Sequence, residues 1–277
     1  MTNAAPLLSI ITPCYNHGQF LDEMLASVHD FSWPFEIEQI IIDDGSTDEF
    51  TKLKCSRAGE LERVKVVRQE NQGLAKTRNH ALALARGKYI LPLDADNKIF
   101  PEIFAKAAGI MEGEEGIGVV YTDARYFGEK DGIWAVEDYD IGKILYTNQF
   151  DACALIRKSL FDLYGSYDEN MPAMGHEDWE LWVRLGLNGC DFYHFKEIGF
   201  SYRVLNNSMV NTLSTPNWKK SRKYIFSKHA ALISDSYDDI FAKMSSEKEE
   251  AQRLNAIVSS FRTHKIKSIA KLILNRV

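Results

Sequence analysis

The stretch YILPLDADNKIFP (residues 89–101) decides the fold, because an apolar strand ends there in two carboxylates. Three similar apolar segments come before it, and segments with helical spacing separate them. The predicted strands cover residues 7–12, 40–42, 64–67 and 89–93. The predicted helices cover residues 20–28 and 74–85, with another expected from residue 46. This alternation is typical of an α/β fold with a mostly parallel, Rossmann-like sheet and helices on both faces.

The composition of the 277 residues is that of an ordinary globular protein, with 45% hydrophobic residues and a net charge of −6. The acidic balance argues against nucleic acid as the main partner, since phosphate binding favours a basic surface. The four scattered cysteines form no CxxC pair and indicate neither zinc nor a redox centre, so a reducing compartment is expected. No apolar run approaches the ~20 residues of a membrane span, which predicts a cytoplasmic protein, or one at the inner face of the membrane.

Polar residues collect where each of the four predicted strands ends. These strand ends read TPCYN (12–16), DDGS (43–46), RQENQG (68–73) and DADN (94–97). Ligands of open α/β sheets bind outside the carboxyl ends of the strands. The sequence therefore predicts one composite site built from four loops.

The pair Asp94 and Asp96 indicates a metal site within that composite site. Two carboxylates separated by one residue repel each other unless a cation lies beside them. Hard oxygen ligands favour Mg²⁺ or Mn²⁺, which commonly use one or two carboxylates together with substrate phosphates. The alternative is a pair of solvated turn aspartates, one of which caps the next helix. The position after an apolar strand, beside three other polar strand ends, favours the metal.

Three further residues are candidates for binding the rest of a nucleotide. The carboxylate of Asp44 could accept hydrogen bonds from a ribose or a base, although Asp-Gly is also a common turn and Ser46 a predicted helix N-cap. Gly73 lies before a helix, where a ligand could approach the backbone closely, and the helix N-terminus favours anions. Arg78, one turn inside, could bond to phosphate; the alternative is an exposed helix arginine.

The second half of the chain offers a candidate general base. Residues 175–186 (GHEDWELWVRLG) predict a helix that opens with Glu177 and Asp178. A carboxylate in a partly dry cleft can remove a proton from a hydroxyl; the alternative is an ordinary complement to the helix dipole. For Trp179 and Trp182, packing in the core is favoured over a wall that stacks on a sugar.

A charged region begins near Pro216 and ends in a basic amphipathic segment, residues 262–277. Such a helix could lie on an anionic membrane surface, where lipid-linked acceptors are found. Packing on the domain or on a second subunit of a homodimer is the favoured alternative.

Five motifs in order give the chain a resemblance to the family 2 glycosyltransferases of GT-A fold, over residues 6–210. The motifs are SIITPCYN (9–16), IIIDDGSTD (40–48), NQGLAKTRN (71–79), ILPLDADN (90–97) and GHEDWEL (175–181). The resemblance implies an inverting, metal-dependent hexosyl or related transferase that uses a nucleotide-diphosphate sugar, with a UDP-sugar favoured. It also implies a glycan or lipid-linked acceptor and a role in cell-surface polysaccharide or lipopolysaccharide synthesis.

The resemblance also implies roles for individual residues. Pro13, Tyr15 and Asp44 would cradle the nucleoside. Asp96, with Asp94, would hold Mn²⁺ or Mg²⁺. Asp178 would be the catalytic base, with Glu177 as an acceptor contact or alternate base. Residues 1–215 would form the GT-A domain, with a nucleotide-binding half (1–97) and an acceptor half (98–215), and residues 216–277 a C-terminal helical extension.

One departure from the family pattern concerns the run YRVLNNSM (residues 202–209). Family members often carry Tyr-Arg-x-His here, and that histidine can bind the metal, but this chain has Leu205. Either Asn206 or water completes the metal shell, or metal binding depends on the donor diphosphate; Arg203 could still pair with phosphate. The competing function is a catalytically degenerate module that binds a nucleotide sugar or a glycan. The intact D-x-D and E-D motifs argue against it.

Overall fold

The computed structural model describes residues 5–205, 215–238, 242 and 245. The strands are β1 (Leu8–Cys14), β2 (Ile37–Asp44), β3 (Val64–Gln69), β4 (Tyr89–Pro92), β5 (Lys98–Ile99), β6 (Ile117–Gly128), β7 (Gly132–Trp134), β8 (Leu155–Arg157) and β9 (Asp191–Val204). The helices are α1 (Gly18–His29), α2 (Glu49–Ala58), α3 (Leu74–Leu84), α4 (Pro101–Gly113), α5 (Ile141–Tyr146), α6 (Ser159–Tyr164), α7 (Glu177–Leu187), α8 (Thr215–Lys228) and α9 (Ala230–Asp235).

One sheet runs through the described residues, in the order β3-β2-β1-β4-β8-β6-β9-β5, with β7 paired to β6. The four strands β3, β2, β1 and β4 are parallel, as the sequence predicts. Beyond β4 the sheet is mixed, since β8 is antiparallel to both β4 and β6 while β6 and β9 are parallel. The α/β fold is confirmed, and its parallel part is the first half of the chain.

Strand β1 is buried because it lies between two other strands of the parallel part, β2 and β4. Its residues Leu8, Ile10 and Ile11 are fully buried, and Ile11 lies beside Ile40 of β2 and Pro92 of β4. After β3 the chain crosses to the other side of β1 to form β4. This reversal of strand order opens a crevice at the carboxyl ends of β1 and β4, where α/β sheets bind ligands.

Helix α2 begins later than the sequence predicts. Its N-cap is Asp48, whose side chain accepts a hydrogen bond from the backbone N–H of Thr51. The predicted N-cap, Ser46, instead accepts a hydrogen bond at Oγ from the backbone N–H of Asn16, at 3.0 Å. The prediction of Ser46 as the cap is therefore wrong. The side chain of Asp48 satisfies the free N–H of the first turn, and the hydroxyl of Ser46 joins two loops instead.

Buried polar contacts join α8 and the residue after it to α7 and the residue before it. His176 Nδ1 lies 2.7 Å from Ser221 Oγ, and His229 Nε2 lies 2.7 Å from Glu180 Oε1. Both Ser221 and Glu180 are fully buried. The structure divides the chain into units of residues 1–230 and 231–277, so α8 belongs to the first unit although the sequence analysis places it in the extension. The described part of the second unit contains most of α9.

Two expectations concern residues beyond those described. The amphipathic segment 262–277 and the alternative metal ligand Asn206 both lie outside them. In the part of the chain that is described, no helix has the length and apolar character to cross a bilayer.

Candidate active site

The loops after β1 and β2 are joined at one rim of the crevice by Asn16. Its Oδ1 accepts a hydrogen bond from the backbone N–H of Thr47, at 2.8 Å. Its backbone lies in the left-handed region, with φ of 54°. Of the predicted nucleoside contacts, Pro13 lies within β1, and Tyr15 follows that strand with 44% of its surface exposed. The structure thus brings the TPCYN and DDGS loops together.

The carboxylate of Asp44, at the end of β2, fixes the loop that follows β3. Its Oδ1 accepts hydrogen bonds from Gln69 Nε2 and from the backbone N–H of Gln72, each at 2.8 Å. Its Oδ2 accepts from the backbone N–H of Gly73, at 2.9 Å. Gly73 has φ of 86° and precedes the first residue of α3, so a residue without Cβ suits the position. A contact from Asp44 to the nucleoside stays a prediction.

Arg78 is buried and joins the two halves of the site. Its side chain is 3% exposed; Nη2 lies 2.8 Å from Asp94 Oδ1, and Nη1 donates to Glu177 Oε1. Burial alone lowers the pKa of an arginine, but Asp94 and Glu177 raise the pKa of Arg78 above its usual value. The predicted bond from Arg78 to phosphate stays a prediction, since in this conformation its Nη groups are bonded to carboxylates.

The D-x-D turn (residues 94–97) is a local concentration of negative charge. Burial, and then the charge of Asp94, raise the pKa of Asp96 to about 7. Asp151 behaves in the same way, because burial and the charge of Asp94 raise its pKa to about 7. Asp151 belongs to no motif, and its proximity to the turn was missed by the sequence analysis. A cation at this turn would relieve the repulsion among the three carboxylates.

Arg203 holds the D-x-D turn through two hydrogen bonds. Its Nε donates to the backbone carbonyl of Asp96 and its backbone N–H to Asn97 Oδ1, both at 2.9 Å. The guanidinium lies between two aromatic rings, 4.3 Å from the centre of Phe20 and 4.2 Å from that of Phe127. Sequence reasoning suggested a phosphate contact, which stays a prediction, whereas the observed contacts hold the turn.

The candidate base Asp178 lies in the first turn of α7 and is 7% exposed. Its Oδ1 accepts the backbone N–H of Trp179 at 2.7 Å, and its Oδ2 accepts Asn148 Nδ2 at 2.9 Å. Burial, and then the charge of Glu177, raise the pKa of Asp178 to about 8. Trp179 and Trp182 are fully buried, as predicted. A carboxylate with a pKa near neutrality is suited to accept a proton.

The residues at the D-x-D turn fit the ligand preferences of a hard divalent cation. Asp94 and Asp96 supply oxygen ligands, and the raised pKa of Asp96 means that a cation would stabilise its charged form. Within the described ranges, no three histidine, cysteine or acidic side chains form a metal-binding group. A site of this kind needs further ligands from water or phosphate, which is common for Mg²⁺.

The fold is of GT-A type. Among solved structures, S. aureus TarS in complex with UDP-GlcNAc matches with a TM-score of 0.60 and 22% identity, over 75% of this chain. The match spans 61% of the TarS chain, so this protein covers less than two thirds of its length. At this identity the likeness concerns the fold alone.

Sequence comparison identifies the family. Residues 9–166 match the model described as Glycosyl transferase family 2, and residues 136–249 the model described as Glycosyltransferase like family 2. The glycosyltransferase TuaG of Bacillus subtilis (strain 168), named for teichuronic acid biosynthesis, is 32% identical over 234 residues, which are 82% of this chain and 88% of that protein. The chain belongs to glycosyltransferase family 2, and the resemblance found in its motifs is confirmed.

Proposed function

We propose that this family 2 glycosyltransferase inverts the anomeric carbon of a UDP-sugar as it moves the sugar to an acceptor hydroxyl in cell-surface polysaccharide synthesis. The name of TuaG supports a cell-surface polysaccharide. The TarS complex with UDP-GlcNAc supports a UDP-sugar donor. A glycan or a lipid-linked glycan is the proposed acceptor.

The observation that carries the proposal is the link from Asp94 through Arg78 to Glu177. Arg78 bonds to both carboxylates, one in the D-x-D turn and one at the start of α7. The next residue along α7 is Asp178. One buried cation thus joins the proposed donor-binding turn to the start of the helix that carries the proposed base, which supports a reaction between groups held at a fixed separation.

In the proposed reaction, Asp178 takes the proton of the acceptor hydroxyl as that oxygen forms a bond to the anomeric carbon. The bond from the anomeric carbon to the phosphate oxygen breaks on the opposite side, so the configuration inverts and UDP leaves. Asp96 and Asp94 would hold Mn²⁺ or Mg²⁺, whose charge offsets the negative charge on the departing diphosphate. In the structure, Asn148 Nδ2 and the backbone N–H of Trp179 donate hydrogen bonds to the carboxylate of Asp178.

The substitution Asp178→Asn tests the base, because an amide cannot accept the proton. We expect sugar transfer to fall by roughly 10²–10⁴-fold, while the affinity for donor stays the same. Donor binding is read by calorimetry and transfer by UDP release with acceptor. The matched control is Asp162→Asn on α6, whose carboxylate is 70% exposed and which should keep full activity. Near-normal turnover of Asp178→Asn would show that the base is a different group.

The donor and the metal are tested by the melting temperature of the protein with UDP-, GDP- and dTDP-sugars, each with and without Mn²⁺. A ligand that binds the folded state raises the melting temperature. We expect a shift with a UDP-sugar that is larger when Mn²⁺ is present. Anomeric coupling constants of the product, read by NMR, test inversion independently. Binding of a nucleotide sugar without transfer or hydrolysis would favour the degenerate binding module.

A further inference from the structure

The segment between α5 and β8 contacts the candidate base although it belongs to none of the five motifs. Asn148 lies two residues after the end of α5, and its Nδ2 donates to Asp178 Oδ2 at 2.9 Å. The other carboxylate oxygen, Oδ1, accepts the backbone N–H of Trp179. Both oxygens of the base therefore have a donor, which restricts rotation of the carboxylate.

Trp179 ties this segment rigidly to the helix of the base. Its backbone N–H bonds to Asp178, and its indole Nε1 donates to the backbone carbonyl of Ile144 in α5. Trp179 and Ile144 are both fully buried. The residue that follows the base therefore also fixes the helix that leads to Asn148, so the distance between Asn148 and Asp178 is set by a packed core.

Two of the charged groups around Asp178 disfavour its ionised form, so a hydrogen bond from an uncharged donor can help to stabilise that form. Glu177 on the same helix and Asp151 after α5 both act to raise its pKa. Arg78 on α3 acts in the opposite direction, but its Nη groups bond to Asp94 and Glu177. A hydrogen bond from an amide favours the charged form of a carboxylate. Asn148 supplies that bond to Asp178, whereas both Nη groups of Arg78 bond to other carboxylates.

The side-chain nitrogen of Asn148 makes this contact, whereas its side-chain oxygen does not form a hydrogen bond within the part of the chain that the structure describes. Its Oδ1 is buried and finds no partner among the described residues. A buried acceptor without a partner lowers the stability of the fold. An arrangement that is unfavourable for folding and directed at a reactive group is typical of a functional position.

We propose that Asn148 is a positioning residue, whose side-chain amide orients the carboxylate of Asp178 and favours its ionised form. The importance of Asn148 for catalysis rests on the proposed function. Its effect on the ionisation of Asp178 does not, because the hydrogen bond can be tested without a substrate.

The test is the titration of Asp178 by NMR, in protein labelled with ¹³C at the aspartate carboxyl carbons. The signal of Asp178 is assigned by its absence from Asp178→Asn. In Asn148→Ala we expect its midpoint to rise by roughly one pH unit or more, since a hydrogen bond to a charged group contributes about a ten-fold change in equilibrium constant. Because the substitution also removes the unpartnered carbonyl, its urea unfolding midpoint should change little.

The matched control is Asn188→Ala at the other end of α7, where the Asn188 side chain donates to the backbone carbonyl of Arg184 at 2.8 Å. It removes a hydrogen bond from the same helix and should leave the midpoint of Asp178 unchanged. An unchanged midpoint in Asn148→Ala, or an equal rise in Asn188→Ala, overturns the proposal. Full transfer activity in Asp178→Asn would instead overturn the proposed function and leave the hydrogen bond as found.

Discussion

Residues 5–97 and residues 98–205 both contribute to the crevice, but different contacts hold them. In the first half, β1, β2 and β3 follow one another along the chain and pair side by side, and β1 and β2 bury mostly apolar residues. In the second half, β6 pairs with β9, and α5, β8, α6 and α7 intervene in the chain. Both halves bury charged residues, Asp44 and Arg78 in the first and Asp178 and Glu180 in the second. Strands that follow one another along the chain thus build the side of the proposed donor site, and strands far apart in the chain build the side of the candidate base.

Removing Arg78 should give the largest effect, because it connects the two halves. In Arg78→Met, Glu177 stays buried without its countercharge, and we expect the free energy of unfolding to fall by about 3–5 kcal/mol. The measurement is urea unfolding followed by circular dichroism.

The control for Arg78 is Arg86→Met, within the first half. Arg86 pairs with Glu38 at 2.9 Å, but its side chain is 60% exposed. Pairs of this kind contribute about 0–1 kcal/mol. Similar losses for the two variants would contradict the idea that a buried ion pair joins the halves.

The second prediction concerns the pH dependence of the second half. Burial opposes the charge of Glu180, but hydrogen bonds from His229 and Arg184 outweigh it and lower the pKa to about 2. The unfolded chain then binds more protons than the folded one between about pH 2 and pH 4.5, so stability rises with pH in that window. The contribution is fully present above the unfolded value, and it is lost as the pH falls toward about 2.

Comparison of the wild type with Glu180→Gln isolates the contribution of Glu180 to the pH dependence of stability. Between pH 5 and pH 2, we expect the wild type to lose about 3 kcal/mol more than the variant in its free energy of unfolding. Urea titrations at several pH values provide the measurement. Parallel losses in the two proteins would mean that Glu180 is not the group responsible.

The smallest effect is expected at Gly109, on the exposed side of α4. A Cβ built there meets nothing within 4 Å, and the residue lies inside a helix. Gly109→Ala should raise the free energy of unfolding by about 0.5–1 kcal/mol, measured by urea unfolding. The opposite sign is expected for Gly118→Ala in β6, where a Cβ would lie 2.9 Å from Leu160 Cδ1. A stabilised Gly118→Ala would show that the second half is loosely packed.

The sequence predicts the first half well because its information is local. Strand ends are visible as changes in polarity, and these indicated Asp44 and Asp94 as candidate site residues; a helix start indicated Asp178 in the second half in the same way. The capping residue of α2 was mistaken because Ser46, Thr47 and Asp48 are all suitable caps, and the choice depends on the contact from Asn16 in another loop.

The parts played by Asn148 and Asp151, and the burial of Arg78, could not be predicted, because they depend on contacts across the chain. Asn148 and Asp151 lie in an irregular segment without periodicity, and the packing of Trp179 on α5 brings that segment to the base. Arg78 was predicted as a phosphate contact, with an exposed helix arginine as the alternative, and neither reading placed it in the interior, since arginines are rarely buried. Its burial follows from a carboxylate 99 residues away in the chain.

The bonds from Asp44 to the loop after β3 have a consequence for the rate and affinity of the proposed nucleotide binding. Gln69 Nε2 at the end of β3 supplies one of the three donors, and two backbone N–H groups hold the loop itself in place in the folded chain. The conformational entropy of the loop is therefore lost when the protein folds and not when the ligand arrives. Association should proceed without a slow ordering phase in stopped-flow traces, and the heat-capacity change of binding should reflect only the surface that the nucleotide covers.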